Sequence, residues 1–413
     1  MVEELKRVSF TYPAIDNHAH PLLKAIHRSA EPFEGLISEA QGEALIEDSV
    51  HTMACYRATS QLADLFELEG DEVSWQKIKE TRDNFEYSQL CQICMEPTGI
   101  QCILIDDGLG GVTDLAEDYK WHDQFTSSPT KRIVRLEVVA QFLTMKDVLK
   151  DLIHTSEDPI SLDLLLRSFS TEFYKNISVC AADDEVAGFK SVACYRTGLD
   201  IGVSCTQNEL EQSLAHIVAA YNVTEKRTLR LADKTLNDYL VRIVLDIAGK
   251  CNKPVQFHTG LGDNDIRLTK SSPAHMQQII EAFPQTTFIL LHSSYPYTRD
   301  AGYLAAVYRN VYLDFGEIFP FVSAEGQRAV IRQVLELCPT NKIMWSTDGH
   351  WWPESYYLGT VQARLALFAV LSHSVLEGEL SEAQAISVVK LALFENANRV
   401  YRLGLKPDLS KLS

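Results

Sequence analysis

The sequence predicts an α/β fold, a (β/α)8 TIM barrel with a helical insertion after its first strand. Three observations predict it. Eight short apolar runs of strand type are separated by segments of helical character, which indicates a parallel sheet with right-handed crossovers. Eight is the strand number that closes such a sheet into a barrel. The length, 413 residues, exceeds the usual single domain but suits a barrel carrying insertions. A doubly wound open sheet is the alternative.

Residues 1–14 lead into the first strand, which ends in Ile15-Asp16-Asn17-His18-Ala19-His20. From about Leu22 to Pro97 the chain is helix-rich, so an insertion over about 22–100 is expected, placed to cover the barrel mouth. Gln101–Ile105 is the second strand and ends in Asp106-Asp107-Gly108. The glycines at 108, 110 and 111 read as a loop, because no capped helix follows to make a dinucleotide fingerprint. Lys131–Gln141 is the third strand, and a helical region runs from Met145 to about Asn176.

The fourth strand, Val186–Arg196, carries Lys190 in its interior, and helices fill 207–222 and 231–250. Pro254–His258, Thr287–His292, Asn310–Gly316 and Lys342–Asp348 are strands five to eight, with Ala274–Phe283 helical between five and six. Helices from Tyr356 to Glu377 and Glu382 to Arg402 close the chain at about 356–402. With no Pro/Gly/Ser-rich linker, low-complexity tract or internal repeat, residues 1–413 read as a single barrel unit.

Composition excludes several classes. An apolar content of 46% with 23% charged residues is that of a globular enzyme with a large core. The 38 basic and 56 acidic residues leave a net charge of −18, which argues against phosphate-backbone binding and against an anionic membrane surface. No apolar h-region opens the chain and no apolar run long enough to span a bilayer is read in it. Nine cysteines, an odd number, suit reduced thiols and a cytoplasmic location. Cys91 and Cys94 form the only CxxC and read as incidental helix neighbours. The expected partner is a small-molecule substrate, with no nucleic acid and no membrane, and a homo-oligomer is left open.

In an α/β barrel the functional side chains sit at the C-terminal ends of the strands. Those positions give His18, His20, Lys190, His258, His292 and Asp348. Side chains at i and i+2 of a strand share one side, so His18 and His20 can reach one metal ion. Each residue also has a plainer reading: a core histidine bonded to a neighbour, a turn aspartate before Gly349, a salt-bridged lysine. Lys190 is the hardest to read that way, because a lysine between Phe189 and Val192 needs compensation for a buried charge. A salt bridge is one solution, and a carbamate made with CO₂ and bridging two metal ions is another.

The order HxH, Lys, His, His, Asp on successive strands resembles the amidohydrolase superfamily, in its amidohydrolase-2 branch. The match sharpens at IDNHAHPL, GFKSVACYRTGL, FHTGLGD, LLHSSYPYTRDAGYLAAVYRNVYLDFGE and WSTDGHWWPESYY. These look like the N-terminal amidohydrolase domain of fungal FluG-type and plant nodulin-type proteins, without the glutamine-synthetase-like domain fused to it there. The resemblance implies that His18, His20 and Asp348 hold one metal and His258 and His292 a second, with Lys190 N6-carboxylated and bridging both. Two divalent ions are expected, Zn²⁺ by ligand type, with Mn²⁺ or Fe²⁺ as alternatives. They would sit about 3.5–4 Å apart and share a hydroxide whose parent water has a pKa near ~7.

Asp348 and His292 are the expected catalytic residues, Asp348 by passing a proton from the attacking water to the leaving amine. For substrate binding the candidates are Tyr195, Arg196, His350 and Trp351, with Trp352 beside them. Arg196 offers a fork for a carboxylate, or else pairs with an acid at the rim. Trp351 and Trp352 offer aromatic faces, or else pack the last helix onto the barrel. Glu137 and Glu317, near the ends of strands three and seven, are read as supporting groups.

The leading functional expectation is a metal-dependent hydrolase cleaving a C–N bond of a small amide, of γ-glutamyl or other carboxylate-bearing type. One alternative is a nonoxidative decarboxylase of the same branch, whose members resemble mononuclear sites lacking the strand-four lysine. The other is an inactive barrel that binds a metabolite or a signalling partner.

Overall fold

Eight strands form one all-parallel sheet in sequential order: Ala14–Ala19 (β1), Ile100–Asp106 (β2), Lys131–Arg135 (β3), Val186–Ser191 (β4), Val255–Phe257 (β5), Phe288–Leu290 (β6), Val311–Asp314 (β7) and Ile343–Met344 (β8). The computed structural model describes residues 2–68, 73–109, 114–141, 161–223 and 230–410. The expected (β/α)8 TIM barrel is the observed fold, and the open-sheet alternative is excluded by its closure. At the seam between first and last strands, Asn17 N–H donates to the Trp345 carbonyl at 3.2 Å, Asp348 N–H to the His18 carbonyl at 3.0 Å and His20 N–H to the Gly349 carbonyl at 2.7 Å. The strands are rich in Ile, Leu, Val and Phe because both of their faces are covered.

Polar ties set the strands at the site in register. Asp16 accepts from the backbone N–H (2.9 Å) and hydroxyl of Thr347. Asp314 accepts from Asn17 (2.8 Å), Ser346 (3.0 Å) and the backbone N–H groups of His292 (3.1 Å) and Gly316 (2.9 Å). A Cβ at Gly316 would collide with the Ser346 hydroxyl, so only glycine lets the chain turn there. These buried carboxylates fix where the strand ends point.

The stretch between β1 and β2 holds the helices Met53–Leu65, Trp75–Asn84 and Tyr87–Met95, where the insertion is expected. Their apolar faces form a core of their own around Phe33, Leu62, Trp75, Ile78 and Leu90, sealed by Trp352 and Leu358. A buried ion pair, Arg82 Nε to Glu354 Oε1 at 2.6 Å, pins this unit to the helix Pro353–Leu376. That helix has the length and apolarity of a bilayer span, which the sequence reading does not anticipate. Here 61% of its apolar window is buried within the protein, so it serves as the shared wall of the two cores.

Several boundaries differ from expectation. The third strand ends at Arg135 and Leu136–Val138 turns into helix. The fourth ends at Ser191, so Tyr195 and Arg196 lie on the helical turn Ala193–Arg196 rather than on a strand. In both runs apolar character continues past the strand, and a short apolar run does not by itself separate strand from helix. Helices not anticipated include Glu3–Thr11, Thr298–Val307, Ala324–Leu337 and the short Ile318–Phe321. Of the helix expected over 145–176, the part before 161 lies outside the described residues, and the observed helix is Leu162–Ala182. All nine cysteines are free, and Cys91 and Cys94 are buried neighbours on one helix as expected.

Candidate metal centre

The six ligand-type residues come together at one end of the barrel. His18 Nε2 and His20 Nε2 lie 3.2 and 3.4 Å from Asp348 Oδ1. Lys190 Nζ is 2.7 Å from His18 Nε2. The rings of His18 and His292 are 5.5 Å apart, and those of His292 and His258 are 4.3 Å apart. His20 and His258 stand directly after the last residues of β1 and β5, while His292 and Asp348 lie on the loops that leave β6 and β8.

Hydrogen bonds set the rings. His20 donates from Nδ1 to the Asp106 carbonyl at 2.8 Å, which turns Nε2 toward Asp348. His258 donates from Nε2 to the Leu261 carbonyl at 2.6 Å and keeps Nδ1 as its free donor atom. Backbone strain concentrates here too. His292 (φ 68°), Glu317 (φ 60°) and Asp348 (φ 53°) all adopt the left-handed conformation that non-glycine residues avoid.

The donor set fits a divalent cation. Among the described residues, His18 Nδ1, both ring nitrogens of His292, Asp348 Oδ1 and Glu317 Oε2 are buried without hydrogen-bond partners. Unpaired buried donors and acceptors carry a desolvation cost that a cation would remove. Three groupings bring their donor atoms within 4.8 Å of one another: His18, His292 and Asp348; His18, His20 and Asp106; His258, His292 and Glu317. Burial holds His18 down at about 3 and His258 and His292 well below the usual imidazole range, so these rings are neutral and ligand-ready. Burial likewise lowers Lys190, against the pull of Asp106 and Asp348, which favours the free amine.

Tyr195, Arg196, His350 and Trp351 all line the cleft over this centre, a cavity of about 560 Å³. A Cβ at Gly262 would run into the Tyr195 hydroxyl, so glycine there makes room for the tyrosine. His350 donates from Nδ1 to the Asp348 carbonyl at 2.9 Å. Trp352 is different: it is buried against Phe33 in the insertion core, the packing role weighed for it. Among the described residues the guanidinium of Arg196 has no hydrogen-bond partner, and its Nε is buried.

The sequence reading passes over some of the residues at the site. Asp106 is read only as part of the end of the second strand, yet its side chain is buried and bound by Arg135 through Nε (3.0 Å) and Nη2 (2.6 Å). Its position at the end of β2 is the signal that could have found it. Glu39, Arg135, Arg230 and Asp263 also line the cleft, and nothing local in the sequence marks them. Glu137 accepts from Ser191 Oγ (2.8 Å) and Val192 N–H (2.9 Å), which shapes the exit of β4.

Residues 225–403 match the family model described as amidohydrolase (Amidohydro_2). The whole chain is 43% identical, over 429 aligned residues, to Protein fluG of Emericella nidulans, and spans about half (48%) of that relative's length. A protein from Lactobacillus casei ATCC 334, assigned as a metal-dependent hydrolase, superposes with a TM-score of 0.79 at 23% identity, covering 97% of this chain and 98% of that one. A uronate isomerase from Bacillus halodurans C-125 superposes with a TM-score of 0.65 at 14% identity, covering 97% and 96%. At such identities the structural likeness carries the fold alone.

Proposed function

We propose, from the match of residues 225–403 to the amidohydrolase family model and the 43% identity to Protein fluG, that the chain is a metal-dependent hydrolase of the amidohydrolase superfamily cleaving the C–N bond of a small carboxylate-bearing amide, of γ-glutamyl type. The observation that carries this reading is the meeting of His18, His20, Lys190, His258, His292 and Asp348 beneath one cleft. His18, His20 and Asp348 would hold one divalent cation, and His258 and His292 a second, with Lys190 beside His18 as the group a carbamate would turn into a bridge. Bound there, such ions, zinc by ligand type, would polarise the scissile carbonyl and bring the pKa of a water toward ~7.

The chain's own residues do the rest. Asp348 takes a proton from the attacking water and returns it to the leaving amine, a transfer its place at the floor of the cleft supports. Arg196, free of any described partner, receives the substrate carboxylate in its planar fork. Tyr195 and Trp351 offer aromatic faces to the remainder of the substrate, and His350 is held in place by its bond to the Asp348 carbonyl. Lys190 also weighs against the decarboxylase alternative, which resembles sites without a lysine on the fourth strand.

The test is a library of small amides, γ-glutamyl amides included, screened for released amine with and without a chelator. Amine release that is lost on chelation and restored by added Zn²⁺ or Mn²⁺ is expected. Release of CO₂ from aromatic acids in place of amine would move the assignment to a decarboxylase, and no turnover with metal bound would favour a binding protein.

A further inference from the structure

Glu317 differs from five buried acids around the site that are each held by a hydrogen bond. Asp16 is bound by Thr347, Asp314 by Asn17 and Ser346, Asp106 by Arg135, Glu137 by Ser191 and Glu354 by Arg82. Glu317, only 2% exposed, accepts no hydrogen bond among the described residues. Its Oε2 lies 3.3 Å from His292 Nδ1 without hydrogen-bond geometry, and both atoms are left unpartnered. The backbone is strained to achieve this, since Glu317 takes a φ of 60° directly after the crowded Gly316. A carboxyl group turned inward at such cost, with no hydrogen-bond partner among the described residues, is placed to receive a cation.

The donor atoms of Glu317, His258 and His292 lie within 4.8 Å of one another. Two imidazoles and one glutamate form a set that holds catalytic zinc with a position left open. His292 also stands in the grouping with His18 and Asp348, so the two sets are neighbours, while Glu317 and His258 belong only to this one. We propose that Glu317 is a direct ligand of a divalent cation held with His258 and His292, making it the terminal carboxylate of a second ion site. This rests on the metal-dependent reading above and adds a seventh ligand to the set that reading assigns.

The test is metal content by mass spectrometry after dialysis of the full chain against Zn²⁺ and then metal-free buffer. Wild type is expected to retain two ions, and Glu317→Gln, an isosteric change, to retain one that bicarbonate does not raise to two. Two ions in Glu317→Gln would overturn the assignment. A single ion in wild type would overturn it while leaving a mononuclear hydrolase standing, whereas no ion in wild type would remove the hydrolase reading as well. A second measurement needs no variant: anomalous diffraction from wild-type crystals grown with Zn²⁺ should place a peak about 2.0–2.2 Å from a Glu317 oxygen. Zinc peaks confined to His18, His20 and Asp348 would refute the proposal.

Discussion

Lys190 Nζ and His18 Nε2 lie 2.7 Å apart, although 172 residues separate them in the chain. Both are fully buried, so the amine has no water to stabilise its charge, and burial lowers its pKa. A lysine in that condition is the one that reacts with CO₂. Lys190→Ala is expected to weaken metal retention by about 10–100-fold, with partial recovery on adding short carboxylic acids. Carbon-13 NMR after labelling with ¹³C-bicarbonate should show a carbamate carbonyl in wild type and none in the variant. Its absence from metal-loaded wild type would leave Lys190 as a plain amine.

Asp348 combines ligand geometry with a place on the cleft floor. Asp348→Asn keeps an oxygen donor facing His18 and His20 but gives up the proton-accepting charge. The variant should keep its fold and bind metal, yet lose about 10²–10⁴ in kcat. Metal analysis and steady-state kinetics on one preparation check both halves. An Asn variant with near-normal turnover would take Asp348 out of the proton transfer.

His122 gives a pH dependence away from the metal. Its Nε2 accepts from Leu22 N–H at 3.1 Å while Nδ1 faces the Asp118 and Tyr119 carbonyls, each at 3.2 Å, so the fold needs the neutral ring. Burial lowers its pKa from 6.5 to about 4, against those two carbonyl bonds. Below pH 6.5 the unfolded chain takes up a proton that the folded ring refuses, so stability falls as pH drops toward about 4 and levels off below it. The loss is on the order of 3 kcal/mol. Urea titrations between these limits should show His122→Gln with a flatter profile than wild type, and parallel profiles would refute the assignment.

The Arg82–Glu354 pair joins the insertion to the last long helix with both groups nearly out of solvent. Removing one partner strands the other charge. Arg82→Met or Glu354→Gln alone should cost about 3–5 kcal/mol, and Arg82→Met with Glu354→Leu together much less. Chemical denaturation of the three variants measures the difference. Equal losses in single and double variants would mean the pair matters only as packing.

The sequence made the barrel and most of its rim legible for a simple reason. His18, His258, His292 and Asp348 each close a short apolar run, and the ends of parallel strands converge. Glu317 and Asp106 were legible by the same rule, but Glu317 was read only as a supporting acid and Asp106 only as the end of a strand. What separates them is backbone torsion at 317 and a salt bridge from Arg135, neither of which shows in local sequence. The helix Ala324–Leu337 shows the opposite failing. Its buried Gln327, Val330, Ile331 and Val334 have the spacing of one helical face, so that pattern was present and passed over. Thr298–Val307, with an interior glycine and alanines among its apolar residues, gives a weaker signal.

Where β8 returns to β1, the backbone bond from Asp348 to the His18 carbonyl lies next to the side chains that would grip the first cation. An ion held by both would act as a rivet across the joint that turns a sheet into a ring. Letting go of that ion and parting the two strands would then be one event, so the same residues that ready the molecule for chemistry also lock its circumference.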